Sequence, residues 1–249
     1  MTKFGFFSFI FASLAASIIA LTPTASQARS ATTIIELFTS QGCSSCLPAD
    51  ELLADYARRP DVLAISMPVD YWDYLGWKDT LANPANSQRQ RDYASIRGDR
   101  MIYTPQVIIN GVAAAPGNDQ LVIDEKISAT KAHLEAHNVT VDMESIGDNI
   151  IINVASAAEG GNHQSGTVWL LLFEERIEVP VTRGENAGQS ITYTNVVREM
   201  TPVGTWNGDQ MVLTLPKADI MSRGHEGCAV LLQSGPAGPI IGAAILDNW

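Results

Sequence analysis

The sequence is short of basic residues. Of its 249 residues, 16 are Lys or Arg against 27 Asp or Glu, a formal charge of -11. That deficit excludes nucleic acid and anionic membrane surfaces as natural partners. Charge as a whole is scarce: 17% of residues are charged and 46% hydrophobic, so wholesale disorder is excluded as well. Glycine (19) and proline (12) stay near ordinary usage, which rules out a collagen-like chain. Cysteine is limited to three, too few for a small scaffold built on disulfides. There is no internal repeat and no low-complexity stretch. What remains is enough chain for one large domain or two ordinary ones.

One long apolar run is present, at the start. Lys3 precedes Phe4 to Leu21, then come Thr22-Pro23-Thr24 and the small-residue end Ser26-Gln27-Ala28. This order describes a secretory signal peptide over residues 1–28, cut after about Ala28, in preference to a membrane anchor. The expected location is secreted or periplasmic, with no stable membrane insertion after cleavage. Disulfides persist in such a compartment, which changes how each cysteine is read.

The rest divides near residue 138 into halves of different texture. In residues 29–138, Thr33 to Phe38 reads as a buried strand. Ala49, Leu52, Leu53 and Tyr56 then share one face of a helix beginning near Cys46. Val62 to Val69 is a second strand, an aromatic-rich insertion occupies about 70–100, and Ser87 to Ile96 is polar enough for a surface helix. Gln106 to Ile109 and Val112 to Ala114 flank Asn110-Gly111, a strong hairpin signal. Asp119 caps a last helix carrying Val122, Ile123, Lys126, Ile127, Thr130 and Leu134 inward. The order predicts an α/β layer fold. In residues 139–249, seven short strands separated by Gly-, Asn- and Pro-rich turns predict an all-β, sandwich-like domain.

The chemistry centres on Cys43-Ser44-Ser45-Cys46. A CxxC between a strand and a helix places Cys43 at the positive end of the helix dipole, where a thiolate is stabilised. The spacing predicts an exposed first sulfur as nucleophile and a buried second one as resolving thiol. As a staple the pair is poor: a loop of about four residues contributes only ~1.9 kcal/mol of chain entropy, against ~3 for fifteen. Zinc would need two more ligands; there is no second CxxC, and His133 and His137 do not form a zinc-protease pattern. Thr104-Pro105 enters the Gln106 strand, an unusual place for proline unless the position is special. A cis bond there would present the Thr104 backbone to an extended substrate opposite the dithiol.

These features together resemble the thioredoxin fold. The run Glu36-Leu37-Phe38-Thr39-Ser40-Gln41-Gly42-Cys43-Ser44-Ser45-Cys46 with Pro48-Ala49-Asp50 more closely resembles secreted thioredoxin-like proteins called domain of unknown function 1223. Val69 to Asp79, Tyr103 to Gln106 and Tyr193 to Val197 also match, so the similarity spans essentially the whole mature chain. Leu47 stands where a proline is usual, and Met67-Pro68 where Phe-His is expected, leaving this chain without the family's histidine there.

Other residues carry weaker signals. Glu36, in the strand before the cysteines, is a candidate acceptor for the resolving thiol's proton or else a carboxylate pointing to solvent or to a strand end. Tyr71, Trp72, Tyr74 and Trp77 either wall a substrate groove or, more simply, form the core of the insertion. Gly184 to Gly188 is a turn-forming loop, and Cys228 a buried small hydrophobe. The expected function is an exported thiol–disulfide oxidoreductase acting on protein or small-molecule thiols through Cys43 and Cys46, without cofactor or bound metal. Thr104 and Pro105 form the opposing wall. A binding protein with an idle disulfide and a metal carrier using the CxxC pair are the alternatives.

Overall fold

A computed structural model describes Met1 and residues 26–158 and 165–246 of the chain. Apart from Met1 and its last three positions, the expected leader lies outside these residues. In chain order the first half contains β1 (Ser26–Gln27), β2 (Arg29–Ser30), β3 (Thr33–Thr39), α1 (Leu47–Ala57), β4 (Val62–Pro68), α2 (Pro84–Arg97), β5 (Gln106–Ile109), β6 (Ala113–Pro116) and α3 (Gln120–His137). The second contains β7 (Val141–Ile146), β8 (Asn149–Val154), β9 (Gly166–Pro180), β10 (Ser190–Trp206), β11 (Met211–Pro216), α4 (Lys217–Met221), β12 (Gly227–Ser234) and β13 (Ile240–Leu246). Strands make up most of the regular structure.

The local signals explain the first half. β3 is apolar apart from its ends and Glu36, and all seven residues are buried, as a strand covered on both faces must be. Asn110 and Gly111 hold φ of 55° and 70° at the centre of a tight turn closed by Val112 N donating to Ile109 O at 2.9 Å, and Ile109 pairs with Ala113 across the three-residue connection between β5 and β6. The Asp119 side chain accepts from Val122 N at 3.2 Å and starts α3. α2 departs from expectation. It is polar, yet Asn86, Arg89, Gln90 and Tyr93 are buried, because each finds a hydrogen-bond partner inside.

One mixed sheet runs through both halves in the order β2-β13-β12-β9-β10-β4-β3-β5-β6. β3 and β4 are parallel, β5 is antiparallel to β3, and β10 joins β4 in parallel at Val196 opposite Ser66. Asn195, with φ of 48°, lies next to that junction and donates its side-chain amide to Ala64 O at 2.8 Å. The β-rich half therefore extends the sheet of the first. A second sheet, β1-β7-β8-β11, packs on the β9–β12–β13 region through Val141, Ile152, Leu170, Leu172, Val230 and Leu232, so the layers draw on both halves of the chain where a separate sandwich was expected. α1 and α3 cover one face of the first half's strands through Leu37, Leu53, Tyr56, Ile109 and Ile123. On the other face, Ile34, Phe38, Ile65 and Ile108 pack with Tyr93 of α2 and with second-half residues such as Leu171 and Leu231. The end of the β9–β10 hairpin packs back on the insertion through Val181, Ile191, Tyr193 and Leu81, with Trp77 beside them. That return brings residues 181–189 to the cysteines. Among the described residues no helix is long and apolar enough to cross a membrane.

Candidate functional site

A 3-10 turn, Ser44–Cys46, leads from the end of β3 into α1. Cys43 and Cys46 form a disulfide across it, with Cα atoms 5.4 Å apart. Cys46 N donates to Cys43 O at 3.1 Å, and Cys43 N to Ser40 O at 3.1 Å. Neither Cys43 nor Cys46 caps the helical segments with a side-chain bond. The sequence predicts one exposed sulfur and one buried; here each cysteine is only 1% exposed. Ser44 and Ser45 remain on the surface, with Ser45 Oγ 3.3 Å from Cys43 Sγ. The cover over Cys43 comes from other parts of the chain.

Gln41 is where those parts meet. Its N–H donates to Asp79 Oδ2 at 2.7 Å, and its Oε1 accepts from Trp77 Nε1 at 2.8 Å and Thr80 N at 3.2 Å. The insertion thus holds one side of the loop before the cysteines. Asn186, at the tip of the β9–β10 hairpin, holds the other: its Nδ2 donates to Gln41 O at 2.9 Å and Cys43 O at 3.1 Å. Beside it Glu185 Oε2 accepts from Ser44 Oγ at 2.8 Å and Ser44 N at 3.3 Å. Asn186 is buried.

Pro105, which follows Thr104, approaches the first turn of α1. Their peptide bond is cis. Gln90 of α2 donates to Tyr103 O and Gln106 Oε1, both at 2.8 Å, and accepts from Tyr71 OH at 3.1 Å, which sets the path of this loop. Pro105 O accepts from Gly117 N at 2.9 Å. A Cβ on Gly117 would lie 3.0 Å from Pro105 Cβ and 3.2 Å from Ala49 Cβ, so Pro105 sits beside the first turn of α1. Only glycine permits that approach.

Glu36 is not brought to the cysteines. Alternation along β3 sends Leu37 toward α1 but Glu36 toward α2. There Glu36 accepts from Arg89 Nε at 2.6 Å and Tyr93 OH at 2.5 Å, while Arg89 also donates to Gln233 Oε1 at 3.0 Å. Burial disfavours the charge on Arg89, but the adjoining carboxylate outweighs it and raises the guanidinium's pKa. The carboxylate therefore serves an ion-pair network inside the protein, with both oxygens engaged.

A different acid lies on the cysteine side. Asp50 stands one helical turn after Cys46 and is buried. Among the described residues its two oxygens, Thr39 Oγ1 and Tyr193 OH find no hydrogen bond of ordinary geometry. Burial pushes the Asp50 carboxyl well above the usual range, the nearby Thr39 hydroxyl opposing and Asp79 adding to the rise. Burial likewise raises Asp79, despite its bonds to the amides of Gln41, Leu81 and Ala82. Tyr193 is raised by burial and by both acids.

The remaining candidates separate cleanly. Cys228 lies free and buried in β12, where burial pushes its thiol up to about 12. Trp72 packs against the core, while Tyr74 is exposed. The side chain of His133 lies outside the described residues. Among the described residues no group of three or more His, Cys, Asp or Glu side chains is placed to hold a metal ion.

Fold and site together define a mostly β protein whose mixed sheet presents a CxxC disulfide at the start of its first helix. The chain belongs to the family described as protein of unknown function (DUF1223), which it matches over residues 34–233. It is similar to the crystal structure of protein AGR_C_4864 from Agrobacterium tumefaciens, at 35% identity and a TM-score of 0.77, covering 88% of this chain and 95% of that one. HBP35 of Porphyromonas gingivalis shares the fold at 12% identity and a TM-score of 0.52, covering 88% and 74% of the two chains. No curated protein matches.

Sequence reasoning gave Gln41, Asp50, Asp79, Glu185 and Asn186 no role in the site. Asp50 carried a signal, since an acid at the fourth position after a buried cysteine falls on the same helix face. The Asn186 contact did not, because it joins positions 143 residues apart.

Proposed function

We propose that the chain is an exported thiol–disulfide exchange protein with a thioredoxin-like first half, Cys43 and Cys46 forming its redox pair. The observation that carries this reading is the Cys43–Cys46 disulfide at the strand-to-helix turn, with Pro105 next to the same helix. The β4-β3-β5-β6 order, with β3 and β4 parallel and helices on both faces, supports the thioredoxin-like assignment. The apolar leader supports export.

The exchange runs as follows. A partner thiolate attacks one sulfur of the pair, breaking the Cys43–Cys46 bond and forming a mixed disulfide. The displaced cysteine thiolate takes a proton. A second partner thiolate attacks the mixed disulfide at the partner's sulfur, so the partner leaves as a disulfide and the pair remains as a dithiol. Two electrons have then passed from partner to protein; the reverse sequence reduces a partner disulfide. Asp50, one helical turn beyond Cys46 and with its pKa raised by burial, is the group this reading places as proton donor to the displaced Cys46 thiolate.

Expressing Cys46→Ser in the exported compartment should accumulate mixed disulfides through Cys43, resolved by mass spectrometry after acid quenching. If no adduct forms while the variant folds and is exported, the exchange reading fails. One observation favours a non-catalytic protein with an idle disulfide: Cys43 is covered, unlike a freely attacking thiol. A reduction potential well below about -300 mV with an unreactive Cys43 would decide for that reading.

A further inference from the structure

The tip of the β9–β10 hairpin is a built contact on the CxxC turn. Gly188 N and Val181 N close it with bonds to Val181 O and Gln189 O at 2.8 and 2.9 Å. Gly184 and Gly188 hold φ of 79° and 86°, which turn the chain on either side of Glu185-Asn186-Ala187. Glu185 and Asn186 then take opposite poles of the same turn: the carboxylate takes the Ser44 N–H, the amide takes the Gln41 and Cys43 carbonyls. A Cys43 thiolate depends on that same helix-start N–H region for stabilisation, and a neighbouring anion opposes it. Glu185 is exposed, so its contact with Ser44 adds little to stability. Its bond to Ser44, the residue that follows Cys43, is where its charge has an effect.

We propose that Glu185, supplied by the second half of the chain, is a positioning residue that sets the redox balance of the Cys43–Cys46 pair. Its carboxylate occupies the helix-start amide and disfavours the Cys43 thiolate, which holds the pair toward the disulfide. This rests on Cys43 being the reactive sulfur of the proposed exchange. It gives the β9–β10 hairpin a task in that chemistry. Other ionisable groups on the elements packed around the turn are Asp79, Asp73 and Lys78 on the insertion, Asp50 and Glu51 on α1, Tyr193 on β10 and Arg183 on the hairpin tip. Asp50, Asp79 and Tyr193 are buried and raised toward their neutral forms, whereas Glu185 is exposed and bonded to the turn itself.

The test is Glu185→Gln, which keeps an acceptor for Ser44 and removes the charge. The full protein is equilibrated with glutathione, where one protein disulfide and two glutathione thiols give one protein dithiol and glutathione disulfide. A unit charge held on the residue next to the sulfur, through largely solvated surroundings, contributes about one factor of ten. The variant should therefore shift this equilibrium roughly tenfold toward the dithiol at pH above the Cys43 thiolate pKa, about 30 mV for two electrons. The Cys43 thiolate pKa, followed by ultraviolet absorbance in Cys46→Ser, should fall on adding Glu185→Gln. The shift should disappear at pH below that pKa, where the thiol is neutral, and shrink in high salt. No shift, or a shift equal at every pH, overturns the proposal. The glutathione equilibrium is measurable whether or not a partner is ever trapped, so this failure is distinct from failure of the exchange reading.

Discussion

Replacing Asn186 with alanine should uncover Cys43 without touching either cysteine. The side chain makes two bonds to the backbone of the CxxC turn, at 2.9 and 3.1 Å, and is only 3% exposed. Two such bonds contribute about 1–3 kcal/mol together, and every 1.4 kcal/mol is a factor of ten. If the disulfide reacts only when the hairpin tip lifts, the lifted population and the reduction rate rise together, roughly 5- to 150-fold. The assay follows reduction by dithiothreitol at fixed pH, quenched with an alkylating agent and read as the mass added at Cys43 and Cys46. A denaturant curve on the oxidised protein separates local from global effects. The variant should lose no more than the clasp's own free energy there, because α1 and the sheet keep their packing. A reduction rate within twofold of the parent would refute the reasoning. Reduction would then pass by a route that the tip does not control.

Two further outcomes test the interior. Arg89→Met leaves the Glu36 carboxylate buried without its cation, which should cost about 3–5 kcal/mol and, in a chain of this size, lower Tm by about 6–20 °C. Adding Glu36→Leu should recover much of the loss, and a single variant losing under about 1 kcal/mol in denaturant titration would contradict the buried-network assignment. Asp50 has a folded pKa raised above its unfolded value, so its contribution favours folding at pH below the unfolded value and is lost as pH climbs through the folded one. Asp50→Asn should remove that decline. Melting curves from pH 4 to 8 that run parallel for parent and variant would exclude it.

The elements legible in the sequence were those with short-range physical causes. The buried β3 run, the 3.6-residue spacing of Ala49, Leu53 and Tyr56, the Asn110-Gly111 turn and the Asp119 cap each depend on residues a few positions apart. α2 was placed but its character was not: polarity suggested a solvated face, whereas Arg89 and Gln90 are buried against Glu36, Gln233 and Gln106. No local pattern marks a polar side chain whose partner is 144 residues away. Glu36 was misplaced for a related reason. Its side of the strand follows from which neighbours cover each face, and both faces of β3 are covered.

By itself the sequence determined the Cys43-Ser44-Ser45-Cys46 turn between strand and helix, the strand and helix order around it, and the isolation of Cys228 in a separate apolar run. Local propensity, turn chemistry and hydrophobic spacing suffice for those. Only the tertiary structure decided what surrounds the pair. β10 pairs with β4, extending one sheet across both halves, and the β9–β10 hairpin folds back until Asn186 and Glu185 grip the turn. That arrangement depends on where a long hairpin ends when its strand docks on a distant edge, and no run of neighbouring residues encodes it.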